Sequence, residues 1–113
     1  MFNPYRSSQM PAYVVSRLTI RDRAAFERYV AEAPETVDRF GGKYLFRGGD
    51  VTALEGNWND ERLVILEFET GEAARAWYRS AEYRRLRELR QGAADAVILL
   101  AGAHESEGAH GRD

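Results

Sequence analysis

Four side chains near the middle of the chain are of types that do chemistry, and each stands among unlike neighbours. Arg47 closes the alternating run Lys43-Tyr44-Leu45-Phe46-Arg47 and directly precedes Gly48-Gly49. A guanidinium there could clamp a carboxylate or an enolate oxygen through two parallel hydrogen bonds. The plainer reading is an internal ion pair with Glu67 or Glu55. Glu67 interrupts the apolar run Leu63-Val64-Ile65-Leu66-Glu67-Phe68. A carboxylate among apolar side chains has a raised pKa and can act as a general acid or base; alternatively Arg47 or Arg17 neutralises it, or it sits in water at a rim. Trp58 lies in the turn-like stretch Gly56-Asn57-Trp58-Asn59-Asp60. A loop tryptophan could close over a flat ligand or pack against a partner subunit. Tyr44 could offer its hydroxyl to a ligand, against a bland role in cross-strand packing. Arg47 and Glu67 are thus the candidate catalytic pair, and Tyr44 and Trp58 the candidate ligand-binding residues.

Other chemical types are better explained structurally. Tyr29, Trp77 and Tyr83 fall on helical stripes, which are more often core than site. The histidines, His104 and His110, stand near Glu105 and Glu107, but their spacing is not that of a helical zinc motif and no rigid surround supports them, so no metal is expected. Arg84-Arg85-Leu86-Arg87-Glu88-Leu89-Arg90 reads as a solvated helix face. Neither Gly41-Gly42 nor Gly48-Gly49 opens a helix after a strand as a phosphate loop does.

The elements that must position these residues follow from periodicity. Tyr13 to Ile20 is a strand rich in β-branched and aromatic residues. Asp22 caps a helix whose stripe is Phe26, Tyr29, Val30, Ala33, Val37 and Phe40, with Pro34 expected to kink or divide it. Gly41 and Gly42 supply a left-handed C-cap. Lys43 to Arg47 is a second strand whose parity puts Arg47 on the face of Lys43 and Leu45. Gly48-Gly49-Asp50 marks a bulge or bend, after which Val51 to Glu55 resumes the strand. Arg62 to Glu69 is the third strand, with Val64, Leu66 and Phe68 on one face and Leu63, Ile65 and Glu67 on the other. Thr70 caps a second helix, Ser80 makes a fresh cap within it, and Tyr83, Leu86, Leu89 and Ala93 continue its stripe. Ala96 to Ala101 is the fourth strand.

The order βαββαβ predicts an α+β fold, ferredoxin-like, with a four-stranded antiparallel sheet and two helices on one face. The bare face would expose too large an apolar patch for a single subunit, so a homodimer is expected, two sheets facing each other in a dimeric α+β barrel. Within 113 residues there is room for one domain, placed at 12–101, with an N-terminal extension at 1–11 and a flexible C-terminal tail at 102–113. The net charge of −2 favours neither nucleic acid nor an anionic membrane, and with no cysteine there is no disulfide or thiolate chemistry. No run approaches a membrane span and no secretory leader is visible, so a cytoplasmic location is the default expectation.

Several separated motifs carry a family resemblance. Ala12-Tyr13-Val14-Val15, Gly41 to Gly49, Leu54-Glu55-Gly56-Asn57-Trp58, Ile65-Leu66-Glu67-Phe68 and Ala73 to Tyr83 together resemble the domain of unknown function 1330 family, over roughly residues 10–101. The resemblance implies a dimeric α+β barrel of the ferredoxin-like superfamily. That superfamily includes cofactor-independent monooxygenases, muconolactone isomerase-like proteins and haem enzymes. No histidine lies in the core here, so a haem ligated that way is not supported and no cofactor is expected. Two readings stand. One is a cofactor-free enzyme acting on a small aromatic or keto/enol compound, with Arg47 stabilising charge on oxygen, Glu67 moving a proton, and Trp58 and Tyr44 shaping the site. The other is a non-catalytic ligand-binding or structural dimer. A small-molecule ligand is the partner expected besides a second copy of the chain.

Overall fold

The computed structural model describes residues 11–59 and 61–102; the expectations for the first ten residues and for the tail bearing His104 and His110 lie outside them. The elements are β1 (Ala12–Ile20), α1 (Arg23–Arg39), β2 (Lys43–Gly48), β3 (Arg62–Phe68), α2 (Gly71–Arg79), α3 (Ala81–Ala93) and β4 (Ala94–Ala101). The strands form one antiparallel sheet in the order β2-β3-β1-β4, the ferredoxin-like arrangement.

Local signals set the helix ends. The Asp22 carboxylate accepts from the Ala25 amide at 3.1 Å and the Thr70 hydroxyl from the Ala73 amide at 3.0 Å. Ser80 does two jobs: its hydroxyl donates to the Trp77 carbonyl at 2.8 Å, closing α2, and accepts from the Tyr83 amide at 3.1 Å, opening α3. The second helical segment is therefore two helices meeting at one residue. At the end of α1, Gly41 (φ 79°) donates to the Asp38 carbonyl and Gly42 to the Val37 carbonyl, each at 3.0 Å. This is a Schellman cap.

Helix α1 runs undivided through Pro34, so of the two effects expected there, a kink or a division, the division does not occur. The proline removes one amide donor, leaving the Val30 carbonyl without its helical bond. Ala33 and Val37, buried at 2 % and 1 % exposure on either side, hold the helix to the core across that gap.

Cross-strand register sorts the sheet into rows. On the covered face run Tyr44-Leu66-Val14-Leu100 and Arg47-Val64-Ser16-Ile98. On the open face run Lys43-Glu67-Tyr13-Ala101 and Phe46-Ile65-Val15-Leu99. The second open row is apolar across all four strands, and Leu99 is 56 % exposed.

Two expectations for the edge strand fail. The register slips between Tyr44 and Phe46, so Leu45 is an inserted bulge residue and parity reverses beyond it. Arg47 consequently faces the helices beside Val64, not the side of Lys43, and it does not share a face with Glu67. Nor does the strand resume after Asp50. The Val51 amide donates to the Gly49 carbonyl at 2.9 Å, a tight turn that diverts the chain from β3, and Leu54 beyond it is 94 % exposed.

The core lies between the covered face and the helices. A ring chain crosses it: Phe68 of β3 meets Trp77 of α2 at 5.5 Å, Trp77 meets Tyr83 of α3 at 4.1 Å, and Tyr83 meets Tyr29 of α1 at 6.1 Å. Gly42 is tied to this core by space. A Cβ there would stand 2.6 Å from Phe68 Cε2 and 2.8 Å from Val37 Cγ1, whereas one at Gly41 would meet nothing within 4 Å. In urea denaturation, Gly42→Ala is expected to cost roughly 1–3 kcal/mol by overpacking. Gly41→Ala should cost about 1 kcal/mol, from its left-handed backbone alone.

Candidate functional site

Between the covered sheet face and the helices lies a narrow crevice of about 30 Å³, enough for a water molecule. Its floor is the row Arg47-Val64-Ser16-Ile98, with Arg62 and Tyr44 beside it; its roof is Tyr29 of α1, Trp77 of α2, and Tyr83 and Arg90 of α3. Three arginines and three tyrosines converge there, and among the described residues no carboxylate lines it. Among the described residues, none of Arg47, Arg62 and Arg90 takes part in an ion pair.

The three cations differ in depth. Arg47 is the exposed member of the lining and marks the mouth; its guanidinium carbon sits 4.7 Å from the centroid of the half-buried Tyr44 ring. Arg62 approaches the Phe26 ring at 5.7 Å, and its Nε is buried without a hydrogen-bond partner. Arg90 is 3 % exposed, and its Nε donates to the Tyr83 hydroxyl at 3.4 Å. The Tyr83 and Tyr29 hydroxyls lie 2.6 Å apart. Trp77 is held in the roof by its indole N–H, which donates to the Thr36 hydroxyl at 3.0 Å.

Burial, and then the neighbouring Tyr83, push the Tyr29 phenol well above its ordinary value of 10.0. Burial also raises Tyr44, with Arg47 pulling the other way. For Arg90, burial works against the charge, but the surrounding tyrosine oxygens, Tyr83 foremost, outweigh it and its pKa lies above the ordinary arginine value.

Of the residues singled out from sequence, Arg47 and Tyr44 meet in this crevice. Glu67 is on the opposite, open face, where the Tyr13 hydroxyl donates to it at 3.4 Å and Lys43 Nζ stands 3.6 Å away. Its cationic neighbour is thus Lys43, not Arg47 or Arg17; Arg17 stands 3.6 Å from Glu61. Trp58 is half-buried in the β2–β3 connection, outside the crevice lining, and its indole N–H is buried without an acceptor. Sequence reasoning missed Arg62 and placed Arg90 on a solvated helix face, whereas it is 3 % exposed and faces the core. Arg62 falls in phase with Val64 and Leu66, and Arg90 on the buried stripe Tyr83-Leu86-Arg90-Ala93. A cation on an apolar stripe was the available signal. No group of His, Cys, Asp or Glu among the described residues could hold a metal ion, and none of their helices is long and apolar enough to cross a membrane.

Residues 11–103 match the family model described as a domain of unknown function, DUF1330. No curated protein matches the chain. Among solved structures, a protein of unknown function from Rhodopseudomonas palustris, RPA0582, aligns over 89 % of each chain with a TM-score of 0.71 and 19 % identity. SnoaB, a cofactor-independent oxygenase from Streptomyces nogalater, aligns over 88 % of this chain and 99 % of its own, with a TM-score of 0.60 and 17 % identity. A dimeric ferredoxin-like protein of unknown function from Thermobifida fusca aligns over 88 % and 96 %, with a TM-score of 0.56 and 13 % identity. At these identities the likeness is one of fold.

The raised Tyr29 phenol has a consequence for stability. A proton held more tightly in the native chain than in the unfolded one stabilises fully below the unfolded pKa of 10.0, and that stabilisation falls away as pH rises from there toward the native value. Urea denaturation should therefore show alkaline weakening setting in near pH 10.0, and Tyr29→Phe should flatten it.

Proposed function

The chain belongs to the domain of unknown function 1330 family, and on that premise we propose that it is a homodimeric small-molecule-binding protein whose ligand enters the crevice between sheet and helices. The observation that carries this reading is the gathering of three arginines with no carboxylate around a buried gap. Buried cations without counter-charge are costly to a fold and are useful where a ligand supplies the missing anion. Arg47 is the gate: exposed and stacked on Tyr44, it can swing aside to admit a ligand and then bind its oxygen. A ligand larger than water must displace this pair.

Within that reading, a cofactor-independent monooxygenase- or isomerase-like activity on an enolisable compound fits the arginines, which would stabilise negative charge developing on substrate oxygen. The fold shared with SnoaB supports it. Glu67, on the other face with Lys43, has no part in this site. A ligand-binding role without catalysis is favoured by a different observation: among the described residues the crevice lining has no carboxylate or histidine to move a proton, and Tyr29 is too weak an acid to serve near neutrality.

The second copy is proposed for the open face. The apolar row Phe46-Ile65-Val15-Leu99 needs cover, and the flanking Lys43-Glu67-Tyr13 row would form a polar rim. The dimeric Thermobifida fusca protein of this fold supports the arrangement.

Analytical ultracentrifugation at micromolar concentration is expected to find a dimer and, for Leu99→Arg, a monomer; a wild-type monomer sinks the dimer. A thermal-shift screen of small aromatic and keto/enol acids should find compounds that raise the melting temperature. Arg47→Ala is expected to weaken them about tenfold, the scale of one charge-assisted hydrogen bond. Hits indifferent to Arg47 would place binding elsewhere.

A further inference from the structure

Arg90 is the deepest cation in the crevice and has little to hold it. It is 3 % exposed, no carboxylate pairs with it among the described residues, and its hydrogen bond is the 3.4 Å donation to the Tyr83 hydroxyl. A phenol offers a guanidinium lone pairs, not a counter-charge. Arg62, on the facing strand, lines the same space, and its buried Nε has no partner. Two guanidinium groups therefore reach the crevice with unused donors.

Either hydroxyl of the pair beyond Arg90 can donate to the other, and one of the two orders continues the chain from Arg90. Tyr83 accepts from Arg90, and the Tyr29 oxygen lies 2.6 Å further on. When Tyr83 donates onward to Tyr29, the Tyr29 hydroxyl keeps its own proton free to donate into the gap. Donors then run Arg90 to Tyr83 to Tyr29, each polarising the next, and the chain ends where an acceptor is missing.

We propose that the inner end of the crevice is an anion subsite, in which Arg90 supplies the counter-charge and Tyr29 a hydroxyl hydrogen bond to an anionic oxygen of a small planar organic ligand. The class is carboxylates and the phenolates or enolates that present the same charged oxygen. This rests on the crevice being the ligand site and adds which end of the ligand enters first. Arg90 and Tyr29 bind and orient; Arg47 at the mouth closes behind.

The test is calorimetric titration of the whole protein with benzoate, its neutral counterpart benzamide, and 4-nitrophenol, using wild type, Arg90→Met, Arg90→Lys and Tyr29→Phe. Wild type is expected to bind benzoate at least tenfold more tightly than benzamide. Arg90→Met should erase that preference, Arg90→Lys should restore part of it, and Tyr29→Phe should weaken benzoate without equalising the two. If phenolates share the subsite, bound 4-nitrophenol takes its coloured, ionised form at lower pH than in water, and Arg90→Met abolishes that shift. If benzoate alone obeys the pattern, the subsite is for carboxylates. Without ligand, Arg90→Met should melt no lower than wild type, because an apolar side chain of similar length replaces a buried charge that has no ion partner.

A large drop in that melting temperature would make Arg90 structural and overturn the subsite. Benzamide binding as well as benzoate would overturn it too, while leaving the crevice as the ligand site. Failure of all three compounds to bind wild type would remove both the subsite and the crevice reading on which it stands.

Discussion

The stacking of Trp77 on Tyr83, ring centroids 4.1 Å apart, is the contact on which the architecture turns. It joins two helices that share no turn of backbone beyond Ser80, and through Phe68 and Tyr29 it links them to the sheet and to α1. Such ring pairs contribute about 0.5–1.5 kcal/mol beyond the area they bury. Their larger effect is geometric. With Tyr83 fixed at 1 % exposure, its hydroxyl is fixed too, and that hydroxyl places both Arg90 and Tyr29. The packing of the core and the polar end of the crevice are one arrangement seen from two sides.

What could be read in advance was whatever is settled locally. The caps at Asp22, Thr70 and Ser80, the glycine pair closing α1, and the alternation of β3 each depend on a few neighbouring residues, and each stands in the structure as expected. The errors arose where a distant partner decides. Pro34 invites a kink or a division, and the division is absent in a helix that buried Ala33 and Val37 keep continuous. Val51 to Glu55 alternates like a strand but has been turned away from the edge it would pair with. Arg47 was assigned to the wrong face because the bulge at Leu45 exists only in the pairing of β2 with β3, not in either strand alone. Tyr83 and Tyr29 were read as core, which they are; that their hydroxyls meet in a polar end of that core depends on a contact between helices 54 positions apart.

Charge is arranged differently on the two faces of the sheet. On the open face the ionic groups pair across strands, Lys43 with Glu67 and Arg17 with Glu61, leaving an apolar row between them. On the covered face, among the described residues, the crevice cations are left without acids. Sequestering a guanidinium in this way works against stability, and a fold that keeps one on the buried stripe of α3 does so at a site where packing alone would favour leucine or methionine.

The inserted Leu45 gives the edge strand an unusual property. A sheet's inner strands cannot lose a residue without scrambling both neighbours, but β2 has a neighbour on one side only, and its slack is already concentrated at a single position. Removing that position would leave Tyr44, Phe46 and Arg47 opposite Leu66, Ile65 and Val64 as they are now, so the strand would become regular without any of these side chains changing face. The chain at this rim can thus shorten by one residue and still present the same side chains to each side of the sheet.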